Sequence, residues 1–189
     1  MKKSLGARTI LFPTPVLVIG TYDDKGMPDA MVAAWGGICC SQPPCMAISI
    51  RRQRHTYIGL TQRKAFTISI PSAAQVREAD YVGIYSGSDE DKFAATGLTP
   101  VRGEFVDAPY VGEFPLVIEC RVIHTIDLGT HTQFIGEVKN VLADEQTLNE
   151  KGLPDIQAVD PLIFAPADQK YYRVGGMVAD AFSVGRKKE

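Results

Sequence analysis

Arg51-Arg52-Gln53-Arg54-His55-Thr56 is the densest basic cluster in the chain, set where an apolar run ends and a short helical pattern begins. Guanidinium forks, a hydroxyl and the free amides of a helix start are the donors that a phosphate needs. Thr56 also suits the N-cap of that helix. A solvated basic loop is the plainer reading, and these residues alone leave it open. Upstream, the sole tryptophan, Trp35, is followed by Gly36-Gly37. An indole beside bare backbone can hold the edge of a flat heterocycle, although a lone tryptophan is more often core. His131 follows a glycine-containing turn and reads either as a rim residue reaching a ligand or as an exposed turn histidine. His124 falls on the apolar side of its strand and reads as core. Lys92, behind three acids, reads as an ion-pair partner, and Phe164 as core.

The cysteines are Cys39, Cys40, Cys45 and Cys120, with no Cys-x-x-Cys pair among them. Adjacent Cys39 and Cys40 are poorly placed to bond each other. The four read as buried small hydrophobes, and no His or Cys spacing matches a metal site.

The elements that must position these residues are mostly strands. Residues 16–22 and 28–35 are β-branched or small and apolar, and are joined by Asp23-Asp24-Lys25-Gly26, which predicts a hairpin. Both faces of 28–35 are apolar, so this strand is expected to be covered on both sides. Residues 46–50 and 65–70 predict further strands, with a short helix over 56–63 between them. Ser72-Ala73-Ala74-Gln75 is a capping box for a helix to about residue 82. Ser88-Asp89-Glu90-Asp91 predicts another helix with acids in its first turn, ended by Gly97. Residues 116–128 and 131–142 predict a long hairpin. In its first strand Leu116, Ile118, Cys120, Val122, Ile126 and Leu128 share one face, and Glu119, Arg121, Thr125 and Asp127 the other. Short strands follow at 163–165 and 170–174, and residues 185–189 form a charged tail expected to fray. About eight strands, mostly in hairpins, with a few irregular helices predict a mainly β (α+β) antiparallel barrel. Neither a Gly-x-Gly-x-x-Gly fingerprint nor a Walker loop is present.

The chain has 189 residues, 45% hydrophobic and 22% charged, with net charge -2 and a pI near 5.9. A chain of this size folding as one domain, residues 1–189, buries roughly 70% of its unfolded surface without staples. The charge balance argues against a nucleic-acid partner and makes the arginine cluster a site for a small anion. Pro13 and Pro15 break the apolar stretch behind Lys2 and Lys3, so no export signal is expected. No apolar run approaches the ~18 residues that span a bilayer. The expected location is the cytoplasm, with no membrane contact.

In order, these pieces resemble a known family. The stretches that carry the resemblance are Pro13-Thr14-Pro15-Val16, Ala33-Ala34-Trp35-Gly36-Gly37-Ile38-Cys39, Arg54-His55-Thr56-Tyr57 and Glu78-Ala79-Asp80-Tyr81. Two more are Asp91-Lys92-Phe93-Ala94-Ala95-Thr96-Gly97-Leu98-Thr99 and His131-Thr132-Gln133-Phe134-Ile135-Gly136-Glu137-Val138. Nearly end to end, the chain is similar to the flavin reductase-like proteins with the FMN-binding split barrel, and among them to the flavoredoxins.

The resemblance implies a six-stranded Greek-key split barrel with peripheral helices, forming a homodimer with FMN near the interface. By position, Trp35 would flank the flavin and the backbone of Ala33, Ala34 and Trp35 would approach its ring system. Ser49, Ile50 and Arg51 would line the ring. Arg54 and Thr56 would serve the phosphate, Lys92 would reach the flavin or its phosphate, His131 would lie near the ring or ribityl chain, and Phe164 would close the pocket. No side chain is implied as an acid–base catalyst and no metal is implied, because the flavin carries the chemistry. Electrons would pass between NAD(P)H or a redox-protein partner and an acceptor, as a reductase or as a non-catalytic electron carrier. Asp29 departs from the family's pattern, which has Asn there. A carboxylate only accepts hydrogen bonds, so Asp29 must bond a ribityl hydroxyl, pair with a nearby arginine, or point away.

Overall fold

The computed structural model describes residues 1–186. The charged tail's last residues, 187–189, lie outside the described residues. β1 (Thr14–Pro15) leads into β2 (Leu17–Tyr22), β3 (Pro28–Ala33), β4 (Gly36–Ser41) and β5 (Pro44–Arg51). Then come α1 (Thr56–Gln62), β6 (Ala65–Ile70), α2 (Val76–Ile84), α3 (Lys92–Thr96), β7 (Pro100–Arg102) and β8 (Pro109–Val111). The long strands β9 (Leu116–Asp127) and β10 (His131–Ala143) precede α4 (Ile156–Val159), β11 (Ile163–Ala165) and β12 (Lys170–Tyr172).

The main sheet is antiparallel throughout, in the order β3-β2-β6-β9-β10-β5-β4. Its two edge strands, β3 and β4, are consecutive in the chain and separated only by Ala34 and Trp35. The sheet therefore rolls until its edges meet at that corner, where the Ser49 amide donates to the Trp35 carbonyl at 2.8 Å. Counted as one bent strand, β3 and β4 give the six-stranded split barrel that the resemblance implies. Gly36 makes the bend possible: a Cβ there would fall 2.7 Å from Leu17 Cδ1 and 2.8 Å from the Ala47 carbonyl oxygen. Gly37 has nothing within 4 Å of such a Cβ, so only the second glycine leaves its backbone open.

The barrel interior holds Leu17, Ile19, Met31, Ile48, Phe66 and Phe134, with Leu60 of α1 as its plug. A second core lies outside β2 and β3, where Val16, Val18 and Ala30 meet Ala79 and Val82 of α2 and Phe93 of α3. β3 is thus covered on both sides, as its two apolar faces predict. The capping box at Ser72 and Gln75 forms and opens a 3-10 turn before α2. Gly97 sits in the left-handed region at φ 72° and ends α3.

Five expectations are corrected. First, the acids at 88–91 do not form a helical first turn: α3 begins at Lys92, and Asp91 caps it by accepting from the Ala94 amide. Second, Thr56 is not an N-cap. His55 holds that place, and Thr56 is the first helical residue. Third, Glu119 does not face solvent with Arg121. It is fully buried, because the loop between β7 and β8 folds over that face and the Phe105 amide donates to Glu119 Oε1 at 3.4 Å. Fourth, His124 is exposed. β6 pairs with β9 only as far as Arg121, so beyond it β9 has β10 on one side alone and leaves the core. Ile126 and Leu128 are exposed with it. Fifth, only Cys45 and Cys120 are buried; Cys39 and Cys40 lie exposed on β4, a strand the sequence did not announce.

Candidate functional site

The ends of β3, β5 and β10 converge on a cavity of about 160 Å³. β3 and the bend after it supply Met31, Val32, Ala33, Ala34 and Trp35. β5 supplies Ser49, Ile50 and Arg51, and β10 supplies His131, which stands opposite Arg51 in the ladder. Arg54 and Phe164 of β11 complete the wall. Nine of the twelve residues singled out in the sequence thus line one space. That space alone is smaller than the roughly 300–1,000 Å³ of ordinary cofactor pockets. It shares Val32, Ala34, Arg54 and Phe164 with a cleft of about 570 Å³ that runs along α2 past Gly83, Ile84 and Asp80 to Tyr171. A third cleft, about 450 Å³, shares Ala34, Trp35 and Ser49 and is walled by Arg8–Leu11 of the amino-terminal segment. Together they form a groove with an aromatic and aliphatic centre and a basic flank.

Trp35 is half-buried and lines the cavity, and its carbonyl accepts from the Ser49 amide. His131 donates to or accepts from Thr130 Oγ1 at 2.9 Å. Burial and the nearby Arg51 charge hold its pKa below the usual histidine value, which favours a neutral ring at neutral pH. Phe164 stacks at a tilt on Tyr171, with ring centroids 5.6 Å apart. Tyr171 donates to Asp80 Oδ1 at 2.8 Å; burial first, and then that carboxylate, push its phenol well above the tyrosine range.

The remaining three predicted residues, Asp29, Thr56 and Lys92, are buried and do not line the groove. Arg54 is half-buried and donates from Nη1 to the Gly83 carbonyl at 3.3 Å, which fixes it between α1 and α2. Thr56 is buried and its hydroxyl has no hydrogen-bond partner. A buried orphan hydroxyl costs about 1–3 kcal/mol, and this one is free to donate to an acceptor that reaches it. The expected amide cradle is partly spent, since the Tyr57 and Ile58 amides already donate to Arg54 and His55. Lys92 is buried rather than lining the groove. Its ammonium lies 2.8 Å from Asp29 Oδ1 and donates to the Ala30 carbonyl. Asp29 therefore pairs with a lysine, a fourth outcome beside the three expected of it. The pair is poorly aligned, and neither Asp29 oxygen makes a directed hydrogen bond. A Cβ at Gly87 would fall 2.4 Å from Asp29 Oδ1, so only glycine lets the 85–91 loop close over the carboxylate.

Some groove residues were not singled out in the sequence: Met31 and Val32, Asp80, Tyr171 and the amino-terminal Arg8–Leu11. Asp80 stood within Glu78-Ala79-Asp80-Tyr81, one of the stretches carrying the resemblance. The amino-terminal segment has no periodicity, so nothing in its residues signals that it folds against Trp35.

A split barrel with a flat-ligand groove at a sheet corner and a basic, hydroxyl-bearing flank is the architecture of a flavin-binding protein. The flavin reductase like domain model matches residues 8–174, and the chain belongs to the flavin reductase-like family. Flavoredoxin of Desulfovibrio vulgaris (Miyazaki F) is 61% identical, with 98% of this chain and 100% of that chain covered at a TM-score of 0.94. Flavoredoxin from Methanosarcina acetivorans is 29% identical, with 98% of each chain covered at a TM-score of 0.91. The uncharacterised Escherichia coli protein YddH is 31% identical over 76% of this chain and 78% of its own length. Among the described residues, no helix is long and apolar enough to cross a membrane, and no cluster of three or more His, Cys, Asp or Glu side chains could hold a metal ion.

Proposed function

We propose that this protein binds FMN and passes electrons through it, between NAD(P)H or a redox-protein partner and an acceptor. The observation that carries the reading is the convergence of Ala33, Ala34, Trp35, Ser49, Ile50, Arg51, Arg54, His131 and Phe164 on one groove. The orphaned Thr56 hydroxyl, two residues on from Arg54 in the chain, supports a phosphorylated ligand.

The residues present fit the cofactor. Trp35 and Phe164 offer apolar surface to a planar ring. The backbone from Ala33 to Trp35 and the strand end at Ser49–Arg51 supply edges for its polar atoms. Arg54 and Thr56 serve the phosphate, with the Lys92 charge behind them. Bound FMN supplies the redox chemistry. The chain's part is to bind, orient and tune: Arg51 brings positive charge to the groove, and His131, held neutral, offers a hydrogen bond without adding a second charge. No side chain is needed as a proton donor or acceptor.

The test is spectroscopic. Protein as purified, or after addition of FMN and desalting, should carry a flavin visible spectrum, with FMN identified on release. Protein that stays colourless after addition of FMN would sink the reading. Anaerobic mixing with NADH or NADPH then separates two forms of it: fast bleaching marks an NAD(P)H-dependent reductase, and slow bleaching marks an electron carrier filled by another redox protein.

A further inference from the structure

The cysteines of β4 and β5 are absent from the groove, and the redox function proposed above does not use them. Cys40 and Cys45 stand directly opposite each other in the antiparallel ladder, one pair in from the turn. Directly opposed residues in such a ladder have Cα atoms about 4.5–5.5 Å apart and side chains on the same face. Disulfides span about 4.4–6.8 Å between Cα atoms, so this register needs no backbone movement to be bridged. Burial first, and then the neighbouring Cys40, push the Cys45 thiol up. Each thiol points along the turn, Cys40 Sγ at 3.5 Å from the Gln42 carbonyl and Cys45 Sγ at 3.4 Å from the Pro43 carbonyl.

The other two cysteines are excluded by their positions. The ladder shifts register between Ile38 and Cys40, which leaves Cys39 on the bulge with no residue across from it. Cys120 lies in the barrel interior, fully buried, with its thiol pushed up to about 12 by burial. The pair itself is asymmetric: Cys40 is exposed and Cys45 is 3% exposed. An accessible attacking thiol beside a shielded one is the arrangement that thiol–disulfide exchange uses, the first to meet the substrate and the second to resolve it.

We propose that Cys40 and Cys45 form a second redox site, a dithiol that reduces small-molecule disulfides and closes to a cross-strand disulfide. The Cys40 thiolate attacks one sulfur of a disulfide RSSR. A protein–SR mixed disulfide forms, and RS⁻ leaves and takes up a proton. Cys45 then gives up its proton and attacks Cys40 Sγ, expelling the second RS⁻, which is protonated in turn. Two protein thiols are oxidised to one disulfide and one RSSR is reduced to two RSH. Cys40 is four residues from Gly36 of the groove, roughly 13 Å along an extended strand, so the dithiol exchanges with RSSR without contact with the groove.

The experiment uses reduced full-length protein with oxidised glutathione under native conditions, read by intact mass after acid quench and by released glutathione. Wild type and Cys39→Ser should each lose about 2 Da and release two equivalents of glutathione. Cys45→Ser should stop at the glutathione adduct with one equivalent released, and Cys40→Ser should give no mass loss. Differential alkylation of wild type needs no variant: in the tryptic peptide from Gly26 to Arg51, Cys39 should label with the first reagent, and Cys40 and Cys45 only after reduction. A mass loss that persists in Cys40→Ser, wild type that only accumulates adducts, or a crosslink between two chains would each overturn the proposal.

Discussion

At the scale of single residues, the proposed phosphate site is where charge should decide affinity. Asp29 and Lys92 are both almost completely buried and face each other without good alignment. A phosphate arriving near Lys92 must compete with a carboxylate already there. Replacing Asp29 by Asn removes the competitor and strands the ammonium, whose countercharge the phosphate can then supply. Breaking such a pair from one side is destabilising, so Asp29→Asn should lower the stability of the flavin-free protein by about 3 kcal/mol, or roughly 6–12 °C of Tm at this chain length. The same change should tighten FMN about tenfold, the equivalent of ~1.4 kcal/mol, and leave riboflavin, which has no phosphate, nearly unchanged. Titration of both flavins by fluorescence quenching measures this, and weaker FMN binding in the variant would refute it. Thr56 gives the complementary case. Thr56→Val deletes an unpartnered buried hydroxyl while keeping its shape, so Tm of the flavin-free protein should hold or rise. FMN should weaken roughly tenfold through loss of a charge-assisted hydrogen bond. A fall in both quantities would mark Thr56 as a packing residue.

At the scale of elements, legibility followed how local each determinant is. The β2–β3 turn, the capping box at Ser72, the stop at Gly97 and the long β9–β10 hairpin are written in neighbouring residues, and all form. Glu119, His124 and β4 were misread because their environments come from distant chain: the β7–β8 loop covers the first, the shorter β6 leaves the second uncovered, and β4 exists only as the partner of β5. The β2–β3 turn also shows how one carboxylate organises an element. Asp23 Oδ1 accepts from the Lys25 amide at 2.9 Å and the Met27 amide at 2.8 Å, and His55 lies 3.5 Å from Oδ2. Burial alone would push its pKa up, but the Met27 and Lys25 amides and the His55 ring outweigh burial and hold it below the usual aspartate value. A depressed folded pKa contributes stability that is complete above the unfolded value and is lost as pH falls through the folded one. Asp23→Ala should therefore cost about 1–2 kcal/mol at pH 7, and that deficit should shrink below pH 4. Asp23→Asn keeps an oxygen for the two amides, so it should retain most of the stability at pH 7 while losing this acid-side dependence. Urea midpoints across pH compare the three proteins, and a deficit in Asp23→Ala that is flat with pH would remove the carboxylate from this role.

At the scale of the whole molecule, the barrel class was legible because hairpin spacing and alternation are properties of the entire chain, whereas its closure was not. Closure depends on a bend at Trp35 that Gly36 permits through its contact with Leu17 and Ala47, residues remote in the chain or in a different strand. The same closure leaves the far end of β9 and β10 projecting, with Ile123, Ile126 and Leu128 exposed. That projection adjoins the groove, since the Leu128 amide donates to the carbonyl of His131, which lines the cavity. Exposed apolar surface beside a ligand groove is the mark of an interface, and a second copy seated there would cover the groove's mouth. This is the homodimer we propose, with the flavin near its interface. Light scattering should return twice the 20.6 kDa chain mass. Ile126 is 45% exposed in the single chain, so Ile126→Lys places a charge where the monomer tolerates it and a dimer does not. The variant should fold, run as a monomer and bind FMN at least tenfold more weakly, since a groove open on one side loses apolar cover worth more than ~1.4 kcal/mol. A dimer that survives this charge would move the interface elsewhere on the molecule, and full FMN affinity in a monomeric variant would show that one chain completes the site by itself.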